Sequence, residues 1–278
     1  MIQLRQKFPL KDVLEMTGLA RSTFYYQQKA LAVVDKYAEA KDAIRRIFHE
    51  HRGRYGYRRV TAALGRLGEP LGHNLVQRLM GQMGLKSLVR QKRYRSYKGK
   101  VGIAADNILR RDFSASAPNT KWVTDVTEFN VAGEKVYLSP VMDLCNGQII
   151  AYETAPRPVF EMVTKMLAKA LSTLRVDDRP TLHSDQGWHY RMPLYKEMLQ
   201  RNGVVQSMSR KGNCHDNAPM ESFFAILKSE YFYLNKFKSV AQFHAGLAEY
   251  IHYYNNDRIK TRLDGLSPVQ YRARLLVA

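Results

Sequence analysis

The sequence predicts a mixed α/β domain, a five-stranded sheet with flanking helices, preceded by a small all-α helix-turn-helix region. Three observations lead there. From about residue 118 onward, β-branched and aromatic runs alternate with helical periodicity in the order three strands, helix, strand, helix, strand, helices. Residues 8–85 show helical periodicity only, punctuated by glycines. The charge is divided unequally: residues 1–112 hold 24 Lys+Arg and 9 Asp+Glu, a net of +15, and residues 113–278 hold 20 and 16, a net of +4.

The elements follow in order. LKDVLEMTG (10–18) is helical in pattern, and LARSTFYY follows with small polar residues where a second helix begins. This is the layout of a helix-turn-helix, whose second helix offers its N-terminal side chains, here Arg21, Ser22 and Thr23, to the major groove. In AEAKDAIRRIFHEH (38–51), Ala43, Ile44, Ile47 and Phe48 fall on one side of a helix. RGRYGYRRVTAALGRLG and GHNLVQRLMGQMGL complete a helical unit over 38–85, with Gly84 ending its last helix. Arg58 and Arg59 precede the middle helix and are candidates for phosphate contacts. KSLVRQKRYRSYKGK (86–100) has seven Lys+Arg, no acid and two tyrosines. Its cations, Lys92, Arg93 and Arg95 among them, suit a nucleic-acid backbone, while Tyr94 and Tyr97 suit stacking. An irregular connector runs to about 117. KWVTDVTEF, KVYLSPVMDL and GQIIAYET then read as an antiparallel meander, with turn pairs at Gly133-Glu134 and Asn146-Gly147. VFEMVTKMLAKALSTL is an amphipathic helix, TLHS a fourth strand, MPLYKEMLQRNG a helix, VVQSMS a fifth strand. The polar loop RKGNCHDN leads into a helix near Pro219, and SVAQFHAGLAEYIHYYNN is a last helix before a polar tail. The order is that of the ribonuclease-H-like plan. The expected organisation is a short helix-turn-helix-like segment (1–37), a helical DNA-binding domain (38–85), a basic linker (86–117) and a catalytic core with its C-terminal tail (118–278).

Composition narrows the function classes. A net charge of +19, with 45% hydrophobic and 11% aromatic residues, describes a folded polyanion binder. No apolar run approaches the ~18 residues of a membrane span, and the N-terminal stretch lacks a secretory signal. Cys145 and Cys214 form no CxxC pair, which argues against a structural zinc site and for a reducing, cytoplasmic setting.

Three carboxylates carry the chemistry. Asp125 lies within the first strand, where propensity disfavours aspartate, and Asp185 ends the fourth. Neighbouring first and fourth strands would bring the two together. Glu221 opens the helix after strand five, with 35 residues between it and Asp185. Such acids repel one another unless cations lie between them, and hard oxygen ligands select Mg²⁺ or Mn²⁺. Two ions ~3.5–4 Å apart would serve an in-line phosphoryl displacement. His183, Ser184 and Asp185 are sequence neighbours, not a spatial triad.

The set VTDVTEF, HSDQGWHY and NAPMESFFAILKSE resembles the DDE transposases and retroviral-type integrases, in particular the second-frame (OrfB) transposases of bacterial insertion sequences. The 35-residue interval is similar to that family's spacing, as is a basic residue seven after the glutamate, Lys228, nearly two helical turns on. YYNNDRIKTRLDGLSPVQYRAR resembles the family's ending and HRGRYGYRRVTAAL its helix-turn-helix region, so the likeness spans nearly the whole chain. The resemblance implies Asp125, Asp185 and Glu221 as catalytic metal ligands for two Mg²⁺ or Mn²⁺ ions. It implies nicking at element ends, then attack of the freed 3′-hydroxyl on another phosphodiester, without ATP or a covalent enzyme intermediate. It further implies double-stranded DNA (element ends and target) as partner, an upstream-frame (OrfA) protein or fusion, assembly of several subunits on DNA, and a bacterial cytoplasmic, nucleoid-associated location. The chain itself has no sustained heptad run. Lys228, Arg210 and Lys211 are candidate DNA contacts, the last two on the loop before Glu221. Glu128, three residues from Asp125, points to the other sheet face and is read as structural or solvated; Asp143 is read as a turn residue; His189 and His215 as plain hydrogen-bonding groups; Trp122 as core, and Trp188 as the better functional candidate of the two tryptophans. Two other classes stay open: a metal-dependent nuclease or resolvase of the same fold, and a non-catalytic DNA-binding regulator derived from a transposase.

Overall fold

A computed structural model describes residues 8–32, 35–89, 105–210 and 214–277. Among them no helix is long and apolar enough to cross a membrane. Helices α1 (Leu10–Thr17) and α2 (Arg21–Ala32) are joined through Gly18, whose left-handed φ of 63° is readily adopted only by glycine. Helices α3 (Ala38–Glu50), α4 (Tyr57–Arg66) and α5 (His73–Gln82) enclose one cluster. Ala43, Ile44, Ile47 and Phe48 are buried in it against Val60, Leu64, Val76 and Leu79, as the helical spacing predicts.

The sheet comprises β1 (Lys121–Thr124), β2 (Thr127–Val131), β3 (Glu134–Asp143), β4 (Ile149–Ala155), β5 (Thr181–Ser184) and β6 (Val205–Met208). Strands β1 and β2 pair antiparallel with β3 in one continuous register, from Trp122 opposite Asp143 to Val131 opposite Glu134. They are the one expected first strand, interrupted at Asp125 and Val126. Asp125 thus lies at a break in the ladder and not within a strand, which removes the propensity conflict: at the break its side chain turns back to accept the Val126 N–H at 2.7 Å. Counting β1 and β2 as one, the spatial order is β4, β3, β1/β2, β5, β6, with β5 parallel to both β1 and β6. The hairpin turn after β2 falls on Ala132 and Gly133, at φ 51° and 90°, one residue earlier than the sequence suggests.

Alternation along β1 divides the core. Val123 faces the side covered by α8 (Ala218–Leu227) and α9 (Val240–Asn256), through Met220, Phe223, Phe224 and Phe243. Trp122 faces the side covered by α6 (Phe160–Leu171) and α7 (Pro193–Arg201). After α8 the chain runs on as a π-helical turn, Lys228–Phe232. The C-terminal stretch read as a polar tail contains helix α10 (Pro268–Val277). Its Arg272 reaches the fully buried Asp143 at 3.0 Å, and Asp143 also accepts the N–H groups of Asn119 and Cys145. The helical unit is docked on this end of the core: the Tyr55 hydroxyl donates to the Asp257 carbonyl and accepts the Ile259 N–H.

Candidate active site

Strand pairing delivers the two aspartates. The parallel register of β1 and β5 sets Val123 beside His183; carried two residues on, it sets Asp125 level with Asp185 at the same end of the sheet. Asp185 sits just past β5, in a turn entering a 3-10 turn, Trp188–Arg191. Its Oδ1 accepts the Gly187 N–H at 2.8 Å, and the Ser184 hydroxyl donates to its carbonyl at 2.9 Å. Position 187 demands glycine through close approach, because a Cβ there would stand 2.9 Å from Asp185 Oδ1 and 3.3 Å from the Tyr190 ring. Beneath the turn, His183 is wholly buried, with both ring nitrogens on the hydroxyls of Ser207 and Ser209. Burial depresses its pKa to about 4, so it is a neutral brace between β5 and β6.

The third acid arrives on α8. Asn217, just before that helix, donates from Nδ2 to the Thr124 carbonyl at 3.0 Å, which pins the helix start to the end of β1. Pro219 lies in the first turn, and Glu221 follows one turn in. Electrostatics report the convergence. Burial pushes the Asp125 carboxyl well above the usual carboxylate range, and the charges of Asp185 and Glu221 push it further. Asp185 opens to solvent on one side, yet the protein packed around its carboxyl raises it too, against the Gly187 N–H and the charges of His189 and Arg191. Tyr190, fully buried, has a phenol raised first by burial and then by those same two aspartates. Lys228 is lowered by burial and partly restored by Glu128 and Asp125; its Nζ lies 5.3 Å from the centre of the Phe129 ring. Asp125, Asp185, Glu221 and Lys228 therefore share one electrostatic neighbourhood.

Among the described residues no three His, Cys, Asp or Glu side chains are gathered closely enough to hold a metal as they stand. The donor chemistry nevertheless fits a hard divalent cation. Carboxylates that raise one another's pKa are relieved by positive charge, and the buried Oδ1 of Asn217, whose Nδ2 holds the Thr124 carbonyl, has no hydrogen-bond partner.

The remaining sequence-predicted positions fall differently. Arg21, Ser22 and Thr23 are exposed at the start of α2, and Arg58 is exposed at the start of α4. Arg59 is not directed to solvent alone: its Nη1 lies 3.3 Å from the buried carboxylate of Glu230. Arg210 bonds Asp216 through its backbone N–H, Nε and Nη2. Lys92, Arg93, Arg95, Tyr94, Tyr97, Lys211 and Asn213 lie outside the described residues, as does the side chain of His215. Trp122 is core, whereas Trp188 is 48% exposed and its ring lies tilted against that of His189 with 4.0 Å between centres; His189 Nε2 bonds the Pro158 carbonyl. Glu128 is exposed and binds Lys135 and Tyr137. Sequence reasoning missed Asp216, Glu230 and Tyr190. Asp216 and Glu230 stand near the expected acids in an ordinary polar pattern, and only burial distinguishes them.

Comparison with known proteins bears on the same segments. The Integrase core domain family matches residues 115–214, a second Integrase core domain family matches 221–276, and an HTH-like domain family matches 36–93. The chain is 54% identical over 270 residues, 97% of its length and 95% of the relative's, to InsK of insertion sequence element IS150 from Escherichia coli (strain K12). It is 30% identical, over 97% of its own length and 96% of the relative's, to Transposase InsF for insertion sequence IS3A of the same organism. It is 32% identical to the Transposase for insertion sequence element IS904 of Lactococcus lactis subsp. lactis (strain IL1403), over 83% of this chain and 92% of that one. Among solved structures, a chain of the simian T-cell lymphotropic virus intasome in complex with PP2A regulatory subunit B56 gamma shares the fold, at TM-score 0.50 and 16% identity over 76% of this chain and 70% of that one.

Proposed function

For a chain that belongs to the insertion-sequence transposases with an integrase core, we propose that Asp125, Asp185 and Glu221 are the catalytic carboxylates and hold two divalent cations, Mg²⁺ or Mn²⁺. The chain is a DNA-binding transposase, an enzyme of the polynucleotidyl transferase class. The observation that carries the carboxylate assignment is geometric: the β1–β5 register sets Asp125 level with Asp185, and the Asn217–Thr124 bond pins the helix carrying Glu221 to the same strand end, in keeping with the upward push of both acids on the Asp125 carboxyl.

Ions bound there would activate the attacking oxygen and stabilise the leaving oxygen of an in-line phosphoryl displacement. The chain's own contribution is placement. The β1–β5 register and the Gly187 turn aim Asp185, the turned-back side chain at the strand break aims Asp125, and the Asn217–Thr124 bond brings Glu221 to them. Lys228, with its charge in the same neighbourhood, holds a phosphate of the bound strand. In the first step one P–O bond at the element end is cleaved by water, freeing a 3′-hydroxyl. In the second that hydroxyl attacks another phosphodiester, forming one P–O bond as one breaks, so no ATP is required. Arg21, Ser22, Thr23 and Arg58 are exposed on the helical part and would contact DNA there, and Lys92, Arg93, Arg95, Arg210 and Lys211 would add further phosphate contacts. Synapsis of two ends calls for several subunits, and end recognition for an upstream-frame protein or a fusion with it, at the bacterial nucleoid.

The test is strand transfer with labelled DNA bearing the element's ends, in Mg²⁺ or Mn²⁺, for wild type and Asp185→Asn. Joined products that disappear in the variant, while DNA binding persists, support the carboxylate assignment. Nicking without joining in wild type favours a nuclease. Equal joining by both proteins removes Asp185 from the chemistry.

A further inference from the structure

Outside the carboxylate site, two buried acids stand at the two ends of the helical segment that carries Glu221 and Lys228. Asp216 lies just before α8, and Glu230 lies in the π-helical turn that follows it. Both are held by arginines, and at each end one or more of those arginines come from the part of the chain that precedes the core.

At the far end, Glu230 is 2% exposed. Arg258 grips it with two bonds of 2.7 and 2.6 Å, and the Tyr250 hydroxyl donates at 3.0 Å. From the helical domain, Arg59 reaches its carboxylate at 3.3 Å, and Arg54 Nε donates to its backbone carbonyl at 3.1 Å. Despite burial, the hydrogen bond and charge of Arg258, then the charge of Arg59, hold the carboxyl below its usual range. Arg258 alone already satisfies the acid in the two-pronged manner that suits a guanidinium. Arg54 and Arg59 are additional, and what they add is attachment of the helical domain.

At the near end, Asp216 has no exposed surface because Arg210 and Arg111, 59% and 45% exposed themselves, cover it. Arg111 Nε donates at 2.8 Å and Asn107 Nδ2 at 3.1 Å, both from the connector. The connector holds an unusual shape to make this contact. Arg110 and Arg111 are consecutive left-handed residues, at φ 47° and 67°, a conformation that non-glycine residues keep only where surrounding bonds impose it. Those bonds are present: the Arg110 N–H donates to Asn107 Oδ1, and the N–H groups of Ile108 and Leu109 donate to the Ser207 hydroxyl on β6.

We propose that the arms preceding the core set the position of Glu221 through these two clamps, Arg111–Asp216 and Arg59–Glu230. Arg59 and Arg111 act as positioning residues, distinct from the groups that touch the reacting phosphate. A helix pinned at both ends by side chains of a DNA-binding part transmits that part's placement to the residues between the pins, which is a coupling of free energies between two sites. DNA held by the helical domain and linker thereby aligns the third carboxylate. The proposal rests on Glu221 being a catalytic ligand.

The test uses the full-length chain, with any partner that the wild type needs. Arg59→Leu and Arg111→Leu each leave the acid with its remaining arginine, Arg258 or Arg210, so neither creates an unpaired buried charge. Three quantities are read: affinity for end DNA, strand-transfer rate at saturating DNA, and amide exchange of residues 218–232. We expect affinity within about twofold of wild type, a rate lowered about tenfold, faster exchange across 218–232, and partial recovery of both in Arg59→Lys and Arg111→Lys. Unchanged exchange with an unchanged rate would overturn the proposal. So would a loss confined to affinity, which would make these arginines ordinary DNA contacts. Asp185→Asn runs alongside: if it joins DNA normally the carboxylate assignment fails, while the exchange of 218–232 still judges the clamps.

Discussion

Replacing Gly187 by alanine isolates the geometry of Asp185 from the stability of the fold. The backbone at 187 has φ −54° and ψ 142°, a conformation open to any residue, so the added methyl brings no backbone strain. It does bring a collision. The new Cβ would lie 2.9 Å from Asp185 Oδ1 and 3.3 and 3.4 Å from two carbons of the Tyr190 ring. The ring is buried and cannot yield, whereas the carboxylate can, by about half an ångström to reach ordinary van der Waals separation. That retreat stretches the 2.8 Å bond from the Gly187 N–H and shifts Asp185 relative to Asp125. A misplacement of about 1 Å in a catalytic group costs on the order of 10²-fold in rate, so half of it corresponds to about tenfold, or ~1.4 kcal/mol of barrier. Stability should move little, because the gain of about 0.4–1 kcal/mol from narrowing the unfolded ensemble is offset by the tight contact with the Tyr190 ring. The assay pairs strand-transfer rate at saturating DNA with thermal melting. Wild-type rates in Gly187→Ala would refute the steric reasoning, and a rate loss that tracks a lower melting temperature would assign the effect to folding instead.

Three further outcomes follow from other parts of the molecule. Glu230→Ala leaves Arg258, 3% exposed, buried without its partner, and should cost about 3–5 kcal/mol in denaturant unfolding; Glu230→Gln keeps the shape and one acceptor oxygen but removes the charge, so it should cost nearly as much, and a cost far below that of alanine would deny the ion pair its role. His51, stacked on Tyr55, is depressed by burial to about 4. A group whose folded pKa lies below its unfolded value contributes stability that is complete above about 6.5 and falls away as pH drops towards 4; the melting temperature of wild type should therefore fall further between pH 7 and 4.5 than that of His51→Gln, and parallel curves would contradict it. Asp125 is strained by its neighbours' charges, so Asp125→Asn should melt higher than wild type in chelator, while Mn²⁺ at 100 times its Kd should stabilise wild type by about 2.7 kcal/mol and leave the variant unmoved. A variant that melts lower in chelator, or gains as much from Mn²⁺, would count against convergence of the three acids.

Much of this was legible in the linear chain. Strand and helix periods, glycine stops and the unequal charge were enough for the fold, because local patterning and burial agree along most of residues 118–256. The chemistry of three acids at their spacing pointed to a candidate site, since the ribonuclease-H-like order makes the first and fourth strands neighbours. What stayed hidden was contact-dependent. Asp125 read as a strand-interior residue because no Gly or Pro marks the break between β1 and β2, where its side chain accepts the Val126 N–H. Arg59 read as a candidate phosphate contact because its partner, Glu230, lies 171 residues away.

The sequence by itself determined most of the elements and their order, which depend on local propensity and residue type, and singled out three carboxylates as candidates. Only the tertiary structure decided which charges face which. Asp216 and Glu230 are acids of the same kind as the solvent-facing Glu128, and nothing in their immediate neighbours marks them. Packing of the helical domain and the connector against the core removes water from them and surrounds them with arginine. A carboxylate's role is set by that desolvation and those distances, which come from residues remote in sequence and exist only once the chain has folded.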